Sequence, residues 1–168
     1  MAQQTPTSGI SFDPVLDRSP SAELLAQLDA RCFADPWDAR ALTTLLANPV
    51  HRAWMLSAGG TAGGPVAFVL YQILADEAEI LRIGVVPEAR GQGLGQFLLK
   101  ALLKELGQVS GMKVFLEVRA GNLPARKLYQ ACGFQEASVR TGYYRNPPED
   151  AIQFQWRESR RTSASELG

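Results

Sequence analysis

The sequence has little of what a metal centre or a disulfide framework needs. Its 168 residues include two cysteines and one histidine. Cys32 and Cys132 stand a hundred positions apart with no C-x-x-C or C-x-x-H pattern, and His51 cannot complete a ligand set with them. Neither a structural metal nor a disulfide is expected. An excess of one charge is also lacking: seventeen Lys and Arg balance seventeen Asp and Glu, and the pI is about 6.6. That excludes the basic surplus with which proteins grip nucleic acid or anionic lipid, so neither is expected as a partner. No apolar run approaches the ~20 residues of a membrane span. The opening MAQQTPTSGI lacks the basic flank and apolar block of a secretory signal, and a cytoplasmic location is expected.

What is present suits one domain. The hydrophobic fraction is 46%, enough for a core of its own. Residues 1–9 and 158–168 are small, polar and aperiodic and are expected to be disordered tails, leaving 10–157 as the folded unit. Within it SFDPVLD (11–17) reads as a strand, and Ser19 with Pro20 is expected to start a helix over 22–33. ARALTTLLAN (39–48) reads as a second helix. HRAWMLS (51–57), GPVAFVLYQILA (64–75) and AEILRIGVV (78–86) then read as a meander of three antiparallel strands, joined by AGGTAGG and an Asp76-Glu77 corner. From Leu94 the apolar residues Phe97, Leu98, Ala101, Leu102 and Leu106 recur at helical spacing. KVFLEVR (113–119) is a strand, NLPARKLYQAC (122–132) a helix stopped by Gly133, and FQEASVRTGYY (134–144) and EDAIQFQWRE (149–158) are the last strands. The sum is a mixed α/β sheet.

One short stretch asks for a ligand. Between strand and helix, Gly91, Gly93 and Gly95 place three glycines in five positions, more than chain reversal needs. A strand, a glycine loop and a helix aim unpaired backbone N–H groups and the positive helix end at an anion. The dinucleotide fingerprint G-x-G-x-x-G fails, because Gln96 and Leu98 stand where its third glycine would fall. The P-loop pattern fails too, since the position five beyond Gly91 is Gln96. Arg90-Gly91-Gln92-Gly93-Leu94-Gly95 fits Q/R-x-x-G-x-G/A instead, and resembles the pyrophosphate loop of the GNAT family of acetyl-coenzyme A dependent N-acetyltransferases. A tight corner with no ligand is the plain alternative.

The resemblance extends over roughly residues 10–157. AEILRIGVV matches the family's fourth strand, LGQFLLKALLKEL its third helix, and KVFLEVR with NLPARKLYQACGF its second conserved block. It implies a GNAT fold: a mixed, mostly antiparallel sheet of about seven strands, splayed at the fourth and fifth and flanked by about four helices. It also implies acetyl-CoA as cosubstrate, and no metal. Within the family, LEVRAGNLPARKLYQACGF followed by RTGYYRNPPEDA is similar to the ribosomal-protein-alanine N-acetyltransferases, as is the F-x-x-P-W stretch from Phe33 to Trp37. Gly142, where a polar residue is common, and the short loop 145–148 depart from that pattern and bear on the choice of acceptor.

The chemistry so implied is attack of an amine on a thioester. It needs a neutral amine, a polarised carbonyl and a protonated leaving thiolate. Alternation along KVFLEVR puts Phe115, Glu117 and Arg119 on one face. Glu117 is therefore either a rim carboxylate paired to Arg119 or Arg126 or, as the resemblance implies, the general base acting through a water. Tyr129 shares a helix face with Ala125, Leu128 and Cys132. It is either a core tyrosine or, by resemblance, the general acid. Asn122 can cap its helix and, by resemblance, also bond the cofactor. The resemblance assigns backbone groups of Ile83, Gly84 and Val85 to the pantetheine arm, and Arg90, Gly91, Gln92, Gly93, Leu94, Gly95 and Gln96 to the pyrophosphate. Cys132 is expected to pack and His51 to sit at a strand edge.

Basicity favours one class of acceptor. At pH 7 roughly a tenth of an α-amine is neutral but under a thousandth of a lysine, a difference of ~3.5 kcal/mol in deprotonation. One glutamate working through a water therefore suits a protein N-terminus, which could be that of a ribosomal protein. Tyr143 and Tyr144, expected between two strands beside a proline-rich loop, and Trp37 across the cleft would wall a slot for an extended peptide. A small-molecule or lysine acetyltransferase, or a CoA-binding module without catalysis, are the alternatives; retention of both Glu117 and Tyr129 counts against the last.

Overall fold

The computed structural model describes residues 14–59 and 63–158. The tail expected at 1–9, residues 10–13 at the start of the expected folded unit, 60–62 of the glycine-rich turn, and 159–168 of the tail expected at 158–168 lie outside the described residues, while Glu158 is tied down by its N–H donating to the Met112 carbonyl at 2.9 Å. The elements run β1 (Val15–Asp17), α1 (Ala22–Cys32), α2 (Ala39–Leu46), β2 (His51–Ser57), β3 (Pro65–Leu74), β4 (Glu77–Val85), a 3-10 turn (Pro87–Ala89), α3 (Leu94–Leu106), β5 (Lys113–Arg119), α4 (Leu123–Ala131), β6 (Gln135–Arg145) and β7 (Pro148–Arg157). The seven strands form one sheet in the order β1-β2-β3-β4-β5-β7-β6. Only β4 and β5 pair in parallel; the other neighbours are antiparallel, so the mixed, mostly antiparallel sheet is as expected.

Local chemistry fixes the helix starts. The Ser21 hydroxyl oxygen accepts from the Leu24 N–H, Asp38 from that of Ala41 and Asn122 from that of Ala125, each satisfying a donor that a helix leaves orphaned. The first of these corrects the expected start at Ser19. The Ser19 N–H is already engaged by the Asp17 carboxylate at 2.9 Å, and Ser21, one residue beyond Pro20, does the capping. Helix α3 buries Leu94, Leu98, Leu99, Leu102, Leu103 and Leu106, whereas α1 buries only Leu25 and Leu28 among its apolar residues. At roughly 1.5–3 kcal/mol per fully buried leucine, α3 is the more firmly anchored helix, and it carries the glycine loop at its start.

Two neighbouring residues of β4 reveal how the layers lie. A Cβ on Gly84 would meet Cys32 and Phe68 at 2.9–3.0 Å, while the Val85 side chain faces Gly95 of α3. Successive strand residues point to opposite faces, so α1 covers one face of the sheet and α3 the other. Helix α4 joins α3, with Leu128 against Gly95 and Tyr129 against Phe154 of β7.

Candidate active site

The sheet opens where β4 leaves β5. Their pairing covers only Glu77–Ile80 with Lys113–Leu116, although both strands continue. The register of β4 against β3 shifts between Tyr71↔Ile80 and Leu70↔Arg82, a bulge at Leu81. A bulge bends its strand, and this one falls directly after the last β4–β5 pair, so β4 turns away and a wedge-shaped gap follows. Ile83, Gly84 and Val85 pair with β3 along one edge and present their other edge to the gap. The bulge also brings Glu79, Arg82 and Gly84 onto one face, the face of α1.

The glycine loop sits at the mouth of this gap. Gly91 and Gly93 have φ of +74° and +78°, and a Cβ on either would touch nothing within 4 Å. Both adopt the left-handed conformation that glycine alone takes freely, and both leave bare backbone outward. Gly93 is the N-cap of α3 with no side-chain cap, so the first N–H groups of α3, from Leu94 through Gln96, point toward the loop. Gly95 is small for a different reason, since a Cβ there already lies 3.3 Å from Leu128 and 3.4 Å from Val85. The Arg90 side chain braces the loop from beneath, its Nε donating to the Val85 carbonyl at 3.0 Å. Gln92 and Gln96 lie on the accessible side of the same turn.

Glu117 and Tyr129 lie on opposite faces of the sheet. Val114, Leu116 and Val118 of β5 are buried toward α3 and α4, while Phe115, Glu117 and Arg119 face the α1 side. Glu117 is 16% exposed, and the rim pairing with Arg119 or Arg126 does not form. Arg119 is engaged by Glu149 and Arg126 by Glu136; the partner of Glu117 is Arg140 of β6, whose Nη1 lies 2.9 Å from Oε1. Tyr129 is 7% exposed and packs its ring against Phe134 and Phe154. Burial pushes its phenol well above the ordinary value. Asn122 spends its Oδ1 on the α4 cap at 3.2 Å. Cys132 closes α4 in the core, burial raises its thiol, and His51 opens β2 opposite Gln72.

Tyr143 and Tyr144 lie within β6 and not in a loop between strands; only Asn146 and Pro147 separate β6 from β7. Their rings pack edge to face at 5.2 Å. Arg119 stacks on Tyr144 at 4.1 Å. Tyr143 lines the same cleft as Glu117, and hydrogen bonding to that carboxylate, then its negative charge, raises the Tyr143 pKa. Burial and then the Glu117 charge do the same to Tyr144. Gly142 has φ +63° and its N–H donates to Asp150 at 2.7 Å, inside a bulge between Arg140 and Tyr144. The glycine that departs from the family pattern therefore serves the bend that aims Tyr143.

Trp37 occupies a different cavity from Glu117. It lines a pocket with Leu25, Asp29, Leu42, Phe68 and Arg82, while Glu117, Arg140, Tyr143, Phe115 and Glu79 line another. The segment that carries Trp37 is pinned by a pair that sequence patterning did not single out. Asp29, 2% exposed, lies 2.7 Å from Arg82 Nε in an ion pair that is a charge contact more than an aligned hydrogen bond. Its other oxygen accepts from the Trp37 N–H at 2.6 Å. Arg82 also donates to the Asp35 carbonyl at 2.9 Å and stacks on Phe33 at 4.1 Å. Burial pushes Asp29 above the usual carboxylate value, against the Trp37 amide and Arg82.

A gap between parallel strands and a bare glycine loop at a helix start are the features expected of an acyl-CoA transferase, and sequence comparison agrees. The profile of the acetyltransferase (GNAT) family matches residues 22–134. The chain belongs to the GNAT family and is an acetyl-CoA-dependent N-acetyltransferase. It is 38% identical over 128 residues to the [ribosomal protein bS18]-alanine N-acetyltransferase of Escherichia coli K12, spanning 74% of this chain and 83% of that one. It is 37% identical over 133 residues to the N-alpha-acetyltransferase RimI of Mycobacterium tuberculosis H37Rv, spanning 77% and 82%. The crystal structure of the Escherichia coli ribosomal-protein-S18-alanine N-acetyltransferase superposes with a TM-score of 0.76 at 29% identity, covering 92% of this chain and 99% of that one.

Proposed function

We propose that this enzyme acetylates the N-terminal α-amine of a protein, and that a ribosomal protein beginning with alanine is its acceptor, as the names of its relatives state for them. The observation that supports this reading is that the β4–β5 ladder ends at Leu116, one residue before Glu117, whose side chain faces one side of the sheet while Tyr129 is buried on the other. Acetyl-CoA, when bound, supplies the acetyl thioester. The chain's residues fit it: positive-φ glycines leave an open cradle of backbone N–H groups at the start of α3, suited to a pyrophosphate. The free edge at Ile83, Gly84 and Val85 would hold the pantetheine arm, and the Asn122 side chain would bond the cofactor. Glu117 accepts the amine's proton through a water, and the Tyr129 hydroxyl holds the proton that a departing thiolate takes up. Burial disfavours the phenolate, so Tyr129 keeps that proton throughout the neutral and mildly alkaline range. Tyr143 and Tyr144 on one side, and Trp37 beyond Arg82 on the other, border the path of the acceptor chain.

Intact-mass analysis of peptides incubated with the protein and acetyl-CoA tests the acceptor. Peptides beginning with alanine or serine gain one acetyl group, and a formylated N-terminus abolishes the reaction even where lysines are present. Efficient lysine acetylation of the blocked peptide, or preference for free polyamines, overturns the reading.

The loop makes a separate prediction. A valine at Gly93 adds a Cβ to the cradle and strains a left-handed residue, whereas asparagine tolerates that conformation. Gly93→Val is expected to weaken acetyl-CoA roughly tenfold by calorimetry, with Gly93→Asn in between. Unchanged affinity in a folded valine variant would remove the loop from binding.

A further inference from the structure

Glu117 faces a cleft that holds two more carboxylates, Glu77 and Glu79. Glu77 is matched by Lys113 at 3.1 Å. Glu79 accepts from the Gln72 amide at 2.7 Å, a neutral partner. Arg140 also lines this cleft, and it does not stand opposite Glu117. The row across the three strands reads Glu117, Gln153, Ser138, with Gln153 occupied by the Ser138 hydroxyl at 3.0 Å. Arg140 lies two residues further along β6 and reaches diagonally over β7 to take Oε1 at 2.9 Å. Its guanidinium is 5.5 Å from the ring of Tyr143, which lines the same cleft.

We infer that Arg140 is a positioning residue for Glu117. Its guanidinium fixes one carboxylate oxygen and leaves the other for the acceptor side, and its charge offsets Glu117, so the cleft does not over-retain the cationic form of the acceptor. The inference rests on the proposed role of Glu117. It has a signature that simple disruption of the cleft lacks, because the two consequences move kinetic constants in opposite senses. Loss of Arg140 frees the Glu117 rotamer, which lowers kcat. It also leaves the cleft one unit more negative, which favours an ammonium in the ground state and lowers KM for the peptide. Because Arg140 is 52% exposed, the effect is that of a half-solvated ion pair, roughly fivefold in kcat.

The test measures kcat and peptide KM for Arg140→Gln, Arg140→Lys, Glu117→Gln and the double Gln variant, using an alanine-initial peptide. Arg140→Gln is expected to lower kcat about fivefold while KM falls about twofold. Arg140→Lys, which keeps the charge without the fork, returns KM to the wild-type value and recovers kcat in part. Arg140→Gln adds nothing in the Glu117→Gln background. A wild-type kcat in Arg140→Gln, or a KM that rises as kcat falls, overturns the role of Arg140 while Glu117→Gln remains strongly impaired. Full activity of Glu117→Gln overturns the role of Glu117 itself, and that of Arg140 with it.

Discussion

Replacing Glu117 by glutamine is expected to lower kcat at pH 7 by roughly 10²- to 10³-fold, the usual worth of a positioned base. The substitution keeps the shape of a side chain only 16% exposed and removes its capacity to take a proton. Arg140 loses its partner but is half in water, so folding stability changes by less than about 1 kcal/mol, and an unaltered melting curve certifies the comparison. The deficit narrows as pH rises toward that at which the α-amine is neutral without help, near 8 for the reference group. Tyr129→Phe provides the contrast. It lowers turnover with acetyl-CoA affinity intact, and its deficit does not narrow in the same way, because the proton it supplies is needed at every pH. Turnover at the wild-type level in the glutamine variant would show that another group takes the amine's proton.

The second large effect belongs to a residue far from the chemistry. Asp29→Ala is expected to cost about 2–4 kcal/mol of folding stability, less than the full 3–5 for breaking a buried pair because Arg82 retains Asp35. In a domain of this size that is a fall in Tm of roughly 5–15 °C. Asp35 is exposed and lies 3.3 Å from Arg82, so its compensation is partial. The same substitution frees the Trp37 N–H and unpins the segment between α1 and α2, so KM for the peptide rises while acetyl-CoA affinity holds. Calorimetric melting and steady-state kinetics read the two halves; a Tm within 2 °C of wild type would show the pair to be dispensable (about 1 kcal/mol or less).

These two residues also mark the limit of what patterning can show. Glu117 was legible because alternation in KVFLEVR isolates a carboxylate among valines and leucine, and the loop was legible because three glycines in five positions have few uses. Strand and helix types followed from periods of two and 3.6, and the corrections fall at ends, as at Ser21. Asp29 gave no signal, since a lone aspartate on an amphipathic helix ordinarily faces water; its partner lies 53 residues on, across a bulge that changes which face Arg82 occupies. Arg140 was hidden by sheet order, because β7 inserts between β5 and β6 and puts the cation two strands away from the carboxylate it holds. Sequence spacing favoured the nearby Arg119 and Arg126, which the fold commits to Glu149 and Glu136.

The short β4–β5 ladder carries a thermodynamic corollary. Four residue pairs join the blade β1–β4 to the blade β5–β7, and beyond Ile80 no strand-to-strand bond crosses the divide. A molecule lying in the gap and touching both edges would act as mortar between the blades, adding RT ln(1 + [L]/Kd) to the folding free energy, about 2.7 kcal/mol at a hundredfold excess over Kd. If acetyl-CoA bridges the blades in this way, the resistance of the enzyme to unfolding is expected to rise with the supply of its own acetyl donor, read as a Tm that climbs with acetyl-CoA concentration.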